Sequence, residues 1–351
     1  MRYLLTLVLA ATALAQTAGQ THPTHSSENF RGVSAVSQQV AWASGTHGTY
    51  LRTIDAGRTW IPGQVAGAEA LDFRGVVAFS ADEAFLMSAG PGEKSRIYHT
   101  GDGGQHWALQ FTETNPKGFL DCMAFWDATH GIVLGDPIAD ESGKLKFELL
   151  MTTDGQSWTR MPTAALPVAL EGEGAFAASN SCLAILPDPD RNIWFATGGR
   201  AARVFHSPDR GGTWEVFDTP IVHGTDSQGI FSIALRDPTH GVIAGGDYKH
   251  PEQDGPNLAF TNDGGKTWKL SQIYPQSYYS AVAYDRRSGG SKGRDRLFIA
   301  GPKFIYDFRP PQNPTRISPP KKSGVQFNAV SAYPSGGAIF AGPNGSIAII
   351  P

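Results

Sequence analysis

Thr53-Ile54-Asp55-Ala56-Gly57-Arg58-Thr59-Trp60 is the stretch of this 351-residue chain that decides the fold. The same pattern, Ser/Thr-x-Asp-x-Gly-x-Thr-Trp, returns at 207–214 and 261–268, with near copies at 100–107 and 153–158. The tryptophans that end the five copies lie 47, 51, 56 and 54 residues apart. A repeat of this period predicts an array of small structural units rather than one ordinary domain.

Each copy is predicted to be a tight hairpin, here called an Asp hairpin. The short Asp side chain can accept hydrogen bonds from amides of its own turn, and Gly supplies a residue with positive φ. The Trp is expected to fill the gap between adjacent sheets. We therefore assign structural roles, not ligand contacts, to Asp55, Asp102, Asp154, Asp209, Asp263, Trp60, Trp107, Trp158, Trp214 and Trp268.

A second repeated feature is a short apolar strand that ends in Gly. Seven such strands end at Gly45, Gly90, Gly135, Gly198, Gly245, Gly301 and Gly342. Each follows another strand of small and aromatic residues, such as 30–36, 73–79, 120–125 and 327–333. One small sheet cannot bury both of its faces, so the units must stack around an axis. The sequence thus predicts an all-β, seven-bladed β-propeller with Asp hairpins between strands C and D of most blades.

The two ends of the chain have separate predicted roles. Residues 1–15 place one Arg before a short apolar run and end in Ala-Leu-Ala, as a signal peptide does, and the run is too short to span a bilayer. We expect a secreted or periplasmic protein without a membrane span. The last unit, at 346–350, stops after its third strand and leaves an exposed edge. We expect residues 16–29 to close the ring there, with the propeller itself over 30–351.

Composition and spacing exclude several classes of function. A net charge of −3 argues against nucleic-acid binding. No His or Cys cluster has metal-ligand spacing, and no Gly-x-Gly-x-x-Gly follows a strand and opens a helix. We therefore expect no metal, no cofactor and no oxidoreductase activity, and we expect a monomer.

The chain contains two cysteines, Cys122 and Cys182. An oxidising compartment would permit a disulfide between them. Two buried, unpaired thiols in neighbouring inner strands are the other interpretation. The sequence alone leaves both open.

The candidate site lies on the rim opposite the Asp hairpins, here called the loop rim, where the B-to-C and D-to-A connections vary over a rigid base. Aligning the inner strands places six residues at equivalent positions near the axis, with Glu173 at or beside the fourth-blade place: Arg31, Arg74, Asp121, Phe231, Ser280 and Asn328. These charges either form a pocket for an anionic, sugar-like or peptide ligand, or pair with one another in a wet channel. The predicted ligand contacts are Arg31, Arg74, Arg200, Tyr248, Tyr278 and Asn328.

The five hairpins resemble the Asp-box, or BNR repeat, of sialidases and related glycoside hydrolases. The whole seven-unit pattern resembles propellers of the photosystem II stability/assembly factor type. Sialidase resemblance implies an Arg-Ile-Pro near the start, an arginine triad and a Tyr nucleophile, whereas this chain has Phe30-Arg31-Gly32 and Phe73-Arg74-Gly75. The assembly-factor resemblance implies a scaffold that grips a client protein.

Two functions follow as hypotheses. The first is an exported binding or assembly scaffold that holds a protein or glycan partner on the loop rim. The second is a glycoside hydrolase or lyase that uses two carboxylates among Asp121, Asp136, Glu173 and Asp247. Such pairs stand about 5 to 5.5 Å apart in retaining enzymes and about 6.5 to 9.5 Å apart in inverting ones.

Overall fold

The structure is a computed structural model that describes residues 20–21, 23–186, 192–272, 277–285, 296–302, 304–308, 315–317 and 326–351. The predicted signal peptide, residues 1–15, lies outside the described residues. Within them, the chain forms the predicted seven-bladed β-propeller. Six of its sheets have four antiparallel strands each, and the remaining sheet has six strands. Helical structure among the described residues is limited to two 3-10 turns, Gly92–Lys94 and Thr163–Ala165.

The strands are numbered along the chain, starting with Gln20–Thr21 (β1). The first blade comprises Phe30–Ala35 (β2), Ala41–Gly45 (β3), Thr49–Thr53 (β4) and Ile61–Gln64 (β5). The second comprises Phe73–Ala78 (β6), Ala84–Ser88 (β7), Arg96–Thr100 (β8) and Ala108–Thr112 (β9). The third comprises Leu120–Phe125 (β10), Gly131–Ala139 (β11), Leu145–Thr152 (β12) and Thr159–Arg160 (β13).

Two short strands, Glu173–Gly174 (β14) and Gly198–Gly199 (β17), lie near the fourth blade but extend the sheet of the fifth. The fourth blade comprises Leu183–Ile185 (β15), Ile193–Ala196 (β16), Arg203–Ser207 (β18) and Glu215–Asp218 (β19). The fifth comprises Gln228–Leu235 (β20), Gly241–Asp247 (β21), Leu258–Thr261 (β22) and Lys269–Leu270 (β23). The sixth comprises Ala281–Tyr284 (β24), Leu297–Ala300 (β25), Ile305–Phe308 (β26) and Thr315–Ile317 (β27).

The seventh blade is built from both ends of the chain. It comprises Ala329–Ala332 (β28), Ala338–Ala341 (β29), Ile347–Ile350 (β30) and the N-terminal strand β1. Gln20 pairs with Ile349, and Thr21 pairs with Ala348. The hydroxyl of Thr24 also donates a hydrogen bond to the carbonyl of Gly345, at 2.8 Å. The outer edge of β30 is therefore covered by the N-terminal segment.

The second strand of each blade is an apolar run because it is covered on both faces by the neighbouring blades. All five residues of β3 and all five of β7 are buried. Alternation of polar and apolar residues, which marks a strand with one wet face, is accordingly absent from these two strands. This explains why the strands that end in Gly were recognisable in the sequence.

The Asp hairpins connect the third and fourth strands of the first five blades. In the first, the Asp55 carboxylate accepts hydrogen bonds from the amide of Thr59 at 2.9 Å and from the hydroxyl of Thr53 at 2.9 Å. The same bonds recur around Asp102, Asp154, Asp209 and Asp263. Gly57 has a φ of 77°, a conformation that favours glycine. These carboxylates are occupied within their own turns.

The tryptophan of each hairpin packs toward the preceding blade. Trp107, of the second blade, lies against Trp42 and Tyr50 of the first, with ring centroids 6.2 and 5.2 Å away. Trp60 packs in the cluster shared by the seventh and first blades. Trp268 packs in the cluster shared by the fourth and fifth. The hairpin Trp therefore packs between neighbouring blades and stabilises their contact.

Cys122 and Cys182 form a disulfide, with their Cα atoms 6.0 Å apart. Both residues are fully buried, and they join the inner strand of the third blade to the residue that precedes the inner strand of the fourth. The sequence left open a disulfide or two unpaired thiols, and the structure has the disulfide.

Candidate functional site

Four of the residues predicted to be equivalent share one structural feature. The inner strands of the first, second, third and fifth blades each carry a β-bulge, and the residue left unpaired is Arg31, Arg74, Asp121 or Phe231. A bulge redirects the side chain of the extra residue. Ser280 and Asn328 directly precede the inner strands β24 and β28. The loop rim thus receives one such residue from each of these blades.

The two arginines share a counter-ion that the sequence analysis missed. The Nε atom of Arg74 lies 2.8 Å from Oδ2 of Asp72, and the Nε atom of Arg31 lies 3.7 Å from the same oxygen. Burial lowers the pKa of Arg31, and the charge of Arg74 lowers it further. The positive charge of these two arginines near the axis is therefore partly neutralised by Asp72. Asp72 stands two residues before Arg74, but its role depends on Arg31 of the neighbouring blade, a contact that the sequence does not show.

Asp121 is a buried carboxylate without ordinary hydrogen bonds. Its side chain has no exposed surface, and neither oxygen has a partner of good geometry among the described residues. Burial raises its pKa well above the usual range, and the charge of Asp136 raises it further. The guanidinium of Arg74 and the nearby amide of Ala177 act in the opposite direction. An unpaired carboxylate in this position is costly to keep charged.

Asp136 lies just beyond Gly135, at a second bulge, between β11 and β12. Its Oδ1 atom accepts a hydrogen bond from the amide of Ala175 at 3.0 Å. Burial raises the pKa of Asp136 to about 6, although the bond from Ala175 lowers it. Burial therefore favours the protonated form of this carboxyl more than it would be favoured in water.

Asp136 lines a cavity of about 370 Å³ near the third and fourth blades, here called the Asp136 cavity. Its lining is formed by Lys117, Asp136, Pro137, Leu145, Gly172, Glu173, Gly174, Ala175, Phe176, Gly198, Gly199 and Asp226. Four of these residues are glycines, and a Cβ atom at Gly198 would collide with the ring of Phe176. A Cβ atom at Gly174 would lie 2.8 Å from Oδ1 of Asp136. The space beside Asp136 exists because these positions lack side chains.

The sequence analysis placed Glu173 at or beside the fourth-blade position near the axis, and the structure has it in β14, outside the inner strand of that blade. The inner strand of the fourth blade begins at Leu183, whereas Glu173 lies in β14. Its carboxylate is held by Arg203, whose Nε atom donates to Oε1 at 2.9 Å, and by the hydroxyl of Thr197 at 2.7 Å. Glu173 thus borders the cavity with its charge already paired.

Asp247 and Tyr248 begin the long loop of the fifth blade. The Asp247 carboxylate accepts a hydrogen bond from the amide of Lys249 at 2.9 Å and lies 3.0 Å from Nδ1 of His250. Burial raises the pKa of Asp247, but these partners lower it to about 2. Asp247 therefore fixes the loop, while the next residue, Tyr248, is 46% exposed.

An aromatic group occupies the loop rim, formed by Phe176, Phe231, Tyr248 and Tyr278. The rings of Phe176 and Phe231 are stacked, with centroids 4.0 Å apart. Tyr278 meets Phe231 edge-on at 4.8 Å, and Tyr248 does so at 6.1 Å. Burial raises the pKa of Tyr278, which the charge of Arg31 opposes. The sequence analysis missed Phe176, because its partners come from a different blade.

The remaining predicted contacts have different surroundings. Arg200 is exposed, and its amide donates to the carbonyl of Gly172 at 2.9 Å. The side-chain amide of Asn328 donates to the carbonyl of Phe30 at 2.9 Å, so it joins the seventh blade to the first. Among the described residues, no three His, Cys, Asp or Glu side chains gather as metal ligands would. The described part of the chain also contains no helix with the length and apolar character to cross a membrane.

Comparison with known proteins identifies the fold and leaves the family open. No family model and no curated protein matches this sequence. Among solved structures, YCF48 bound to D1 peptide is 16% identical, with 99% of each chain covered and a TM-score of 0.65. YCF48 from Cyanidioschyzon merolae is 17% identical, over 95% of this chain and 98% of that one, with a TM-score of 0.61. The GH74 xyloglucanase from Xanthomonas campestris is 14% identical, over 94% of this chain and 53% of that one, with a TM-score of 0.60.

Proposed function

We propose that this protein is an exported binding or assembly scaffold that holds a segment of a partner protein on the loop rim. The observation that carries this proposal is the aromatic group, in which Tyr248, 46% exposed, lies edge-on to buried Phe231. Rigid aromatic side chains give a large contact area at low entropic cost and are enriched at binding sites. The charged residues nearby, Arg31 and Asp136, can orient a bound chain.

A protein partner is favoured over a glycan by the shape of the aromatic group and by one structural neighbour. Phe231 is buried and covers one face of the Phe176 ring, so this pair offers little free flat surface on which a sugar ring could lie. YCF48, a propeller with the same fold, has been solved with a D1 peptide bound. We transfer from it only the idea that such a propeller can hold a peptide. Export is supported by the signal-peptide pattern of residues 1–15.

The second candidate is glycoside hydrolysis, which the GH74 neighbour and the position of the Asp136 carboxylate in the cavity lining support. A two-carboxylate mechanism requires both groups to reach the substrate. Asp121 has no exposed surface, and Glu173 is paired with Arg203. Asp247 is bonded within its own loop. Only Asp136 among the four candidates lines the cavity without an ion pair, so we rank hydrolysis second.

The test is selection from a random peptide library on the protein expressed from its full sequence, beside a glycan array and a panel of aryl glycosides. We expect peptides that bind with micromolar affinity and lose at least tenfold on Tyr248→Ala. Ile54→Ala removes a comparably exposed apolar side chain from an Asp hairpin and should leave binding unchanged. Recovery of no peptide, or glycoside turnover that Asp136→Asn abolishes, would overturn the proposal.

A further inference from the structure

We propose that a cavity between the fifth and sixth blades, here called the junction cavity, binds a small aromatic molecule whose ring has about the size of indole. The cavity lies at the rim of the Asp hairpins, so this inference is independent of the partner proposed for the loop rim. It is carried by a comparison of the junctions between blades, five of which contain a hairpin tryptophan that the sixth blade lacks.

At these five junctions, the same two positions belong to one apolar cluster. One is the Trp of the Asp hairpin, and the other is the residue that directly follows the inner strand of the preceding blade. The five pairs are Tyr333 and Trp60, Val36 and Trp107, Phe79 and Trp158, Trp126 and Trp214, and Leu186 and Trp268. An indole ring from the next blade therefore fills the hairpin end of each of these junctions.

The junction between the fifth and sixth blades departs from this pattern at both positions. Residues 269–351 contain no tryptophan, so the sixth blade cannot supply the indole ring. The residue that follows β20, the inner strand of the fifth blade, is Arg236 instead of an apolar residue. The junction cavity, of about 330 Å³, is lined by Arg236, His240, Phe260, Thr261, Asn262, Thr267, Lys269, Tyr284, Leu297 and Phe308.

The junction cavity lies where a hairpin Trp lies at another junction. Tyr284, which lines the cavity, is the last residue of the inner strand of the sixth blade. The last residue of the inner strand of the third blade is Phe125, and Trp158 meets its ring edge-on, with centroids 5.7 Å apart. Tyr284 thus has the position of a residue that a hairpin Trp contacts.

The junction between the sixth and seventh blades is closed by ion pairs. Arg296 is buried there, with its Nε atom 2.8 Å from Oδ1 of Asp307 and a terminal nitrogen 3.3 Å from Oδ2 of Asp285. Its guanidinium also lies 4.5 Å from the ring centroid of Phe298. The equivalent positions in the fifth blade are three lining residues of the junction cavity, namely Arg236, His240 and Phe260. The fifth blade therefore has the cavity where the sixth has buried ion pairs.

The walls of the junction cavity suit a flat ring. Phe260, Tyr284 and Phe308 line it with half-buried aromatic side chains, and Leu297 lines it with a fully buried apolar one. Aromatic rings attract one another in edge-to-face and offset-stacked arrangements. The volume of about 330 Å³ falls within the range of about 300 to 1,000 Å³ that is usual for small-molecule sites. Contact with these rings would therefore distinguish an aromatic ligand from a saturated one.

The polar residues at the junction cavity favour a small molecule over the apolar surface of a partner protein. Asn262, Thr267 and Lys269 line the cavity and are exposed. A protein interface has a broad apolar centre, whereas a small-molecule site is a mostly apolar cavity with a few polar groups. The Nε atom of Arg236 lies 3.0 Å from Oδ2 of Asp237, so part of the positive charge is neutralised locally. The aromatic ring, and not a charge, is therefore the feature that the ligand must have.

The test uses indole as the probe and octahydroindole as its saturated match, with binding measured by NMR titration at pH 7.5. We expect a Kd for indole of about 1 mM or tighter, which a ligand of this size can reach, and binding of octahydroindole at least about tenfold weaker. Phe260→Ala removes one aromatic wall and should weaken indole binding at least about fivefold. Phe111→Ala removes a half-buried Phe from β9 and should leave indole binding unchanged.

A second measurement locates the probe in the natural protein without any substitution. We expect intermolecular NOEs between indole and the methyl groups of Leu297. Equal binding of indole and octahydroindole, or loss of indole binding on Tyr248→Ala, would overturn the inference. A Trp-containing peptide that binds this cavity at least about tenfold more tightly than indole would overturn the small molecule in favour of a side chain from a partner protein.

Discussion

Phe176 and Phe231 stack with their ring planes 6° from parallel and their centroids 4.0 Å apart. Phe231 is the bulge residue of the fifth blade, and Phe176 belongs to the long connection between the third and fourth blades. The stack fixes this connection on the loop rim, beside the exposed ring of Tyr248.

Phe231→Ala should weaken both stability and partner binding. The side chain is 2% exposed, so its removal leaves a cavity that costs about 3 to 5 kcal/mol of unfolding free energy. Urea denaturation measures the first effect, and peptide titration at a temperature where the variant is folded measures the second. Phe298→Ala, in the core of the sixth and seventh blades, serves as the control, because it should lose similar stability and retain binding.

Asp136→Asn should stabilise the protein at neutral pH. Because the pKa of Asp136 rises from 3.8 to about 6 on folding, the folded state holds its proton more tightly than the unfolded state. The stability of the natural protein relative to the variant should therefore fall as pH rises from about 4 to 6, and stay constant above that. The melting temperatures of both proteins, measured across this pH range, show whether the stability difference changes in the expected direction. If the melting temperatures of the two proteins differed by the same amount at pH 4 and at pH 7.5, the raised pKa of Asp136 would be contradicted.

Replacing both cysteines with serine should lower stability without changing the loop rim. The disulfide closes a loop between residues 60 apart, for which a chain-entropy model gives a contribution of about 4 kcal/mol. Denaturation of Cys122→Ser/Cys182→Ser, compared with the natural protein under oxidising and reducing conditions, measures it. The natural protein should show the same loss once reduced, and no loss on reduction would count against the bond.

Asp263→Ala should cost stability and leave binding intact. Its carboxylate accepts bonds from the Thr267 amide at 2.9 Å and the Thr261 hydroxyl at 2.8 Å, which together contribute about 1 to 3 kcal/mol. Thermal melts and peptide titration separate the two properties. The exposed Asp218→Ala is the control for loss of one negative charge. A loss of binding on Asp263→Ala alone would contradict the purely structural role of the Asp hairpins.

Deletion of residues 16–28 should lower the melting temperature, because β30 would lose the strand that covers its edge. Thr24→Val is a milder test, since it removes the bond that the hydroxyl donates to the Gly345 carbonyl at 2.8 Å and the one that it accepts from the Ser26 amide at 3.4 Å. We expect a small loss for the substitution and a much larger one for the deletion. An unchanged melt after the deletion would contradict the role of this segment.

The blades were predictable from the sequence because their signals are local. The bonds around Asp55 stay within one turn, and the strands that end in Gly are apolar runs visible without any partner. The equivalence of Arg31 and Arg74 was predictable for the same reason, since neighbouring blades repeat the surrounding residues, whereas the bulges that they occupy were not predicted.

The site was less predictable because its contacts join different blades. Nothing near Asp136 in the sequence indicates Ala175 as its donor. The exact position of Glu173 was not predictable because the connection before the fourth blade is unusually long, as the gap between Gly135 and Gly198 already indicated. Repetition locates elements of equal spacing, and it fails where an insertion interrupts the repeat.

The pairing of β1 with β30 also sets an order of events during synthesis. Gln20 can meet Ile349 only after the ribosome has made all seven blades, so this contact joins residues that are very far apart in the sequence. Contacts of this kind form slowly, since a long loop must close first. The seventh blade therefore stays open until β30 has been synthesised and has paired with β1.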